Sequence, residues 1–276
     1  MLKKITLSFA IGIALFTSST IAANASTDLG NNENIQYVKV KKPTFTGQYT
    51  KVNGKKGHRI ITPKGTILKV LGTTGSTAGS QRSQAVFSLG QISYAKQQRI
   101  YQPKNGVYIR NYNTTYFKPY SLKLPMRSQF LQLGQYANNG SEHYKPIFVV
   151  TMDGYLQYYS QSRLKHYRIQ NNMSYGKPGN GGPAVDNPLF KIKPTRSIKV
   201  NRFLVKGKHY YLYYRTPVKG LAEKKVSKTN YRLTIHQLTT IGKTWHSGED
   251  FFSARWTNYN VGGHRFFYLG DVESGD

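Results

Sequence analysis

The densest chemistry in the chain lies in Trp245-His246-Ser247-Gly248-Glu249-Asp250-Phe251-Phe252. A histidine, a serine and two acids beside aromatic rings are the parts of a hydrolytic or sugar-binding cluster. His246 would be the base, Glu249 or Asp250 would orient it, and Trp245 and Trp256 would stack on a sugar ring. The opposing reading is an aromatic core closed by a polar turn at Ser247-Gly248, and a motif without its structural context favours that reading. Other acids are few, 11 Asp and Glu against 40 Lys and Arg. Asp153 belongs to a turn dipeptide, and Asp28 and Glu33 fall in the polar N-terminal stretch. A pair of carboxylates set across a glycosidic bond therefore has little to draw on. Cysteine is absent, Gly-x-Ser-x-Gly does not occur, and the histidines lack zinc-ligand spacing. Asn180-Gly181-Gly182-Pro183 does not follow a strand and open a helix, as a phosphate loop would. No cofactor and no metal site are expected, and an enzyme is the less favoured class.

Interleaved rings and cations form the stronger pattern. Tyr108–Tyr120 contains Arg110, Tyr112, Tyr116 and Lys118. Arg163–Tyr167 contains Lys165 and Tyr167, and Lys206–Arg215 contains Lys208 and Tyr210. On a strand, alternation buries one set of side chains and exposes the other. An exposed ring stacks on a sugar or base while a neighbouring Lys or Arg meets phosphate. These eight residues, with Trp245 and Trp256, are the candidate ligand-binding residues. Most of the 22 tyrosines are still expected in the core.

The formal net charge is +29. Two of those charges, Lys3 and Lys4, belong to a segment with the three parts of a secretory signal. They precede a mostly apolar stretch, Ile5–Ile21, and the small-x-small site Ala23-Asn24-Ala25. Cleavage after Ala25 would release a chain of roughly 250 residues, enough for one large domain or two small ones. No later segment reaches the ~18 apolar residues that span a bilayer, so no membrane anchor is expected after cleavage. A field this positive attracts polyanions. Outside a cell these are wall teichoic acid, lipoteichoic acid, anionic lipid and extracellular DNA. The lack of disulfides fits a Gram-positive surface better than a eukaryotic secreted protein.

The elements that would carry these residues read as β hairpins. Tyr, Phe, Val, Ile and Thr are abundant, and these types suit pleated, half-buried surfaces. Turn dipeptides separate the runs at Asn53-Gly54, Asn105-Gly106, Asp153-Gly154, Lys206-Gly207 and Gly262-Gly263. Ser88–Arg99, Ala222–Lys228 and Thr234–Ile241 are ambiguous between helix and strand. The fold expected is all-β, antiparallel hairpins forming small SH3-like barrels or a β-sandwich in two modules. The boundaries expected are a leader at 1–25, a disordered spacer at 26–34, a basic module at 35–170, a Gly/Pro-rich linker or loop at 171–188 and a second module at 189–276. Thr73–Ser83 reads as a polar loop and Ala137–Ser141 as a lesser break.

One stretch carries a family resemblance: Val52-Asn53-Gly54-Lys55-Lys56-Gly57-His58-Arg59-Ile60-Ile61-Thr62-Pro63-Lys64-Gly65-Thr66-Ile67-Leu68-Lys69-Val70-Leu71-Gly72. It resembles the SH3-like β modules of exported surface proteins of lactobacilli and related Gram-positive bacteria. In these a strand leads into a Pro-Lys-Gly-Thr turn and then a β-branched strand. The resemblance implies a small β module at the cell envelope that holds wall glycan or teichoic acid. Together these readings lead to the expectation of a secreted, surface-retained protein that binds teichoic acid or peptidoglycan without catalysis. The alternatives are a wall hydrolase centred on His246–Asp250, or an adhesin meeting host glycan or extracellular DNA.

Overall fold

The computed structural model describes residues 27–32, 34–75, 83–88, 91–101, 103, 107–136, 143–170 and 188–275. The leader, the Asn105-Gly106 turn, the Ala137–Ser141 break and most of the 73–83 and 171–188 stretches lie outside these residues. The chain forms β1 (Tyr37–Val40), β2 (Thr44–Val52), β3 (Lys55–Thr62), β4 (Ile67–Thr74), β5 (Gln84–Phe87), α1 (Tyr94–Gln97), β6 (Ile100–Tyr101), β7 (Ile109–Arg110), β8 (Phe117–Pro119) and β9 (Leu131–Leu133). There follow β10 (Ile147–Val150), β11 (Tyr155–Tyr159), α2 (Gln161–His166), a 3-10 turn at Pro188–Lys191, β12 (Arg196–Lys199), β13 (Arg202–Lys206), β14 (His209–Tyr214), β15 (Lys224–Ser227), β16 (Asn230–Ser247), β17 (Asp250–Val261) and β18 (His264–Gly275). The architecture is largely all-β, and every strand ladder is antiparallel. No helix among the described residues is long and apolar enough to cross a membrane.

Two small sheets come first, β7-β5-β4-β1-β8 and β3-β2-β6. Their core is built on Val38, Val40, Leu68, Phe87, Tyr112 and Phe117. The rings of Phe87, Tyr112 and Phe117 meet at 5.3 to 6.1 Å. Asn53 and Gly54, at φ 48 and 78, make a two-residue turn between β2 and β3, so Lys55 and Lys56 extend the strand and not the loop. Pro63–Thr66 turns β3 into β4 with Gly65 at φ 88. Residues 27–32 do not form the expected spacer. Asp28 bridges Asn113, the Leu29 amide donates to the Tyr112 carbonyl at 3.0 Å, and Leu29 is buried in the core. One apolar side chain with a place in the core outweighed a polar composition.

The large sheet runs β12-β11-β10-β9-β18-β17-β16-β14-β13, with β15 added on β16. Its edge strands β12 and β13 are adjacent in the chain, joined through Val200 and Asn201, although no ladder pairs them. A sheet whose two ends are held that close must curl. Leu131, Phe148, Leu156, Leu212, Leu233, Ile235 and Phe266 fill its concave side, with Leu124 and Met126 closing the core. The convex side over β9, β10 and β11 is covered by α2 and the 3-10 turn, around Phe130, Ile147, Val149, Leu164 and Phe190. Tyr159 is buried there and donates to the Leu189 carbonyl at 2.8 Å.

Several expectations shift. β11 pairs with β12 across residues 171–188, so the division expected there does not separate sheets. The small and large sheets part instead between β8 and β9. Of the ambiguous stretches, α1 is a four-residue turn of helix, whereas Ala222–Lys228 and Thr234–Ile241 supply strands. Asp153 joins the two parts. Its carboxylate accepts from the Ser93 amide, the Ser93 hydroxyl and the Thr151 hydroxyl, each at 2.7 Å. Hydrogen bonds to a charged acceptor contribute about 1.5–3 kcal/mol apiece and overlap when shared. Asp153→Ala is therefore expected to lower unfolding stability by roughly 2 kcal/mol in urea titrations, and an unchanged midpoint would rule out this role for the carboxylate.

Candidate functional site

Among the described residues no helix or further sheet covers the convex side of β13, β14, β16, β17 and β18, and its residues follow from register. In β14, Tyr210, Leu212 and Tyr214 point into the concave core, so His209, Tyr211 and Tyr213 point outward. Their cross-strand partners share that face. Arg202, Leu204 and Lys206 lie on one side, and Arg232, Thr234 and His236 on the other. Asn260 continues the face on β17 and Arg265 on β18. Lys224 stands beside Arg232 on β15.

The same face extends along an arm. Among the described residues, beyond the His209–His236 pair β16 is partnered by β17 alone, and beyond Phe267 so is β18. The arm projects about 35 Å at strand rise. An irregularity between Gln237 and Thr240 resets alternation, which brings Ile241, Lys243 and Trp245 to the outward face opposite Trp256, Ala254 and Phe252. Tyr136, from the segment after β9, lies over the arm. Its ring is 4.6 Å from Trp256, 5.9 Å from Phe267 and 6.5 Å from Trp245. Trp245 and Trp256 are nearly parallel, at 6.5 Å and 16°. Burial beneath these rings leaves Ala254 at 3% exposure and pushes the Tyr136 phenol up.

Cations and rings alternate over this surface. The Arg202 guanidinium sits 5.2 Å from the Tyr213 ring, Arg232 5.5 Å from Tyr211, and Lys243 Nζ 5.1 Å from Trp245. His209 and His236 stack at 4.0 Å and 5°. Among the described strand positions of the face, the carboxylate is Asp250, at the far tip of the arm. The surface combines fixed positive charge with flat apolar faces over one open sheet, which suits a long ligand of repeating negative charge and planar or ring units.

The sequence candidates divide. Trp245 and Trp256 lie on this face, and Lys208 is in the exposed β13–β14 turn beside it. Tyr210 points inward at 2% exposure and its hydroxyl bonds Gln237. Tyr112 is wholly buried, and burial pushes its phenol up to about 12. Both are core residues, Tyr210 because alternation along β14 assigns it to the apolar side and Tyr112 because the small-sheet core takes it in beyond the end of β7. Tyr116 packs against the same core as Tyr112, whereas Arg110 and Lys118 are exposed on edge strands of the small sheet. Lys165 and Tyr167 are exposed at the end of α2. His246 faces away from Trp245, opposite Phe251, whereas Asp250 lies on the Trp245 side and Glu249 in the turn. All three are exposed, and no hydrogen bond joins them. The chemistry expected of a base held by an acid is not assembled there. Tyr211, Tyr213, Arg202, Arg232 and Tyr136 were not singled out by sequence. The single Leu212 within His209–Tyr214 was the signal, since it marks which alternate positions face the core.

No family model, no curated protein and no solved structure matches the chain.

Buried phenols have a measurable consequence. Tyr112, Tyr159, Tyr214 and Tyr259 are each raised above the ordinary 10.0 by burial. A raised phenol favours the folded state fully below pH 10 and loses that contribution as pH climbs through the raised value. Tyrosinate absorbance is expected to rise late and together with loss of structure. Tyr112→Phe, which removes a buried hydroxyl lacking a partner, should leave stability at pH 7 unchanged or raise it by up to ~1 kcal/mol. A loss larger than that would show that the hydroxyl has a structural role.

Proposed function

We propose that the chain is an exported envelope protein that holds anionic wall polymer, teichoic acid or peptidoglycan, without catalysis. The leader pattern Met1–Ala25 supports export. The observation that carries the binding reading is the open convex face, where Arg202, Lys206, Lys224, Arg232, Lys243 and Arg265 stand among Tyr211, Tyr213, Trp245 and Trp256. Cations spread over a sheet attract a polyanion at long range and hold it through many weak contacts. The rings add a face on which a sugar or polyol segment lies flat. The SH3-like reading of the small sheets belongs to the same proposal, supported by the order β3, Pro63–Thr66 turn, β4.

Retention of this kind falls with salt. In pelleting with purified walls, bound protein should drop steeply between low and physiological ionic strength and vanish after teichoic acid is extracted. The double variant Lys206→Gln, Arg232→Gln should bind more weakly and show a shallower salt dependence, as expected when counterion-releasing contacts are removed. Both tryptophans of the chain lie on this face, so polymer should change intrinsic tryptophan emission and Trp256→Ala should weaken binding. Salt-independent retention, or full binding by the double variant, would overturn the reading. Displacement of wall polymer by single-stranded DNA at equal phosphate would move it to nucleic acid.

A further inference from the structure

The convex face is not the one place where positive charge converges. A cavity of about 460 Å³ opens where the β10–β11 loop, the β12–β13 turn and the segment before β9 meet. Arg127, Lys199, Asn201 and Arg202 line it, with Phe203 and Asp153. Arg127 is the unusual member. Its guanidinium lies 5.6 Å from the Phe203 ring, and its Nε is buried without a hydrogen-bond partner. A buried guanidinium donor left unpaired costs free energy, and burial pushes this group down from its ordinary value, with Tyr120 and Asp153 acting the other way.

Asp153 does not neutralise the cavity. Its carboxylate already accepts from Ser93 and Thr151, three donors in all. Lys199 reaches only the Asp153 carbonyl, at 2.6 Å, and lies 4.6 Å over the Tyr155 ring. Arg202 rests on Tyr213. Arg127, Lys199 and Arg202 thus line the cavity beside one committed carboxylate, so its lining carries more positive than negative charge. A planar guanidinium flanked by point charges matches the several acceptor oxygens of a phosphate better than a lone carboxylate.

We propose that this cavity binds a phosphate group, with Arg127 as its principal donor and Lys199 and Arg202 as flanking charges. The site stands on its own geometry and does not depend on a ligand on the convex face, although Arg202 borders both. The phosphate has two possible sources, free inorganic phosphate and the phosphodiester of a polyol-phosphate chain, and the chemistry of recognition is common to both.

The test uses the full exported chain in thermal melts. Inorganic phosphate and bis-glycerol phosphate are each titrated against chloride at matched ionic strength. Phosphate is expected to raise the melting temperature saturably in the parent protein and not in Arg127→Gln. Arg202→Gln, exposed at the rim, guards against a folding defect in the first variant. It should raise the half-saturating phosphate concentration roughly tenfold. Lys64→Gln, a charge change in the β3–β4 turn outside the cavity lining, should leave the response intact. A response to both ligands assigns the site to a polymer unit, and one to phosphate alone assigns it to the free ion. No rise beyond chloride, or an equal rise in Arg127→Gln, overturns the proposal. Because wall pelleting reads the convex face, either proposal can fail while the other stands.

Discussion

The concave side of the ten-stranded sheet has to exclude water, and the outer surface is arranged by that demand. Residues from β9 through β18 close on one another there, with Leu131, Phe148, Leu156, Leu212 and Leu233 almost wholly buried. Full burial of such side chains contributes roughly 1.5–3 kcal/mol each, so a one-residue slip that turned them outward would forfeit the core. Register is therefore fixed by the inside. Once Leu212 faces in, Tyr211 and Tyr213 face out, and Arg232 and Arg202 come to lie beside them. The charged convex face is the obligatory reverse of the apolar one.

How much of this could be read from sequence follows the same division between local and non-local structure. Turns were legible because their conformation is set by adjacent residues. Gly262 and Gly263, at φ 59 and 96, close the β17–β18 hairpin, and a Cβ on Gly262 would clash with the Ala222 carbonyl. The all-β class was legible for that reason. Pairing between distant strands was not. The Gly- and Pro-rich run at 171–188 reads as a boundary because composition reports local chain behaviour, whereas β11 finds β12 beyond it. Residues 27–32 looked like a spacer until Leu29 found its place in the core. For the candidate site, Trp245 and Trp256 stood out as residue types. Tyr210 was chosen over Tyr211 because a run of tyrosines hides its own alternation.

The convex face also poses an electrostatic problem. Neighbouring strands lie about 4.8 Å apart, inside the Debye length of about 8 Å at physiological salt. Lys224 and Arg232, paired on neighbouring strands, therefore repel one another. Some of the strain is met locally, since Tyr211, Tyr213 and Trp245 present ring faces to Arg232, Arg202 and Lys243, at a gain of about 0.5–1 kcal/mol for an exposed pair. The rings are thus not free platforms in the unliganded protein. A polyanion that lay along the face would offer each cation a better partner and release the ring toward sugar or polyol.

Such an exchange sets the character of binding on the two surfaces. On the convex face each contact is weak, exposed and replaceable, so affinity comes from number and is screened by salt. In the cavity the Arg127 guanidinium is partly desolvated, so an oxyanion bound beside it is screened less. Arg202 belongs to both surfaces, which places the cavity at the margin of the face. A chain that carries phosphate at regular intervals could then be gathered by the open face through many contacts and fixed in position by one.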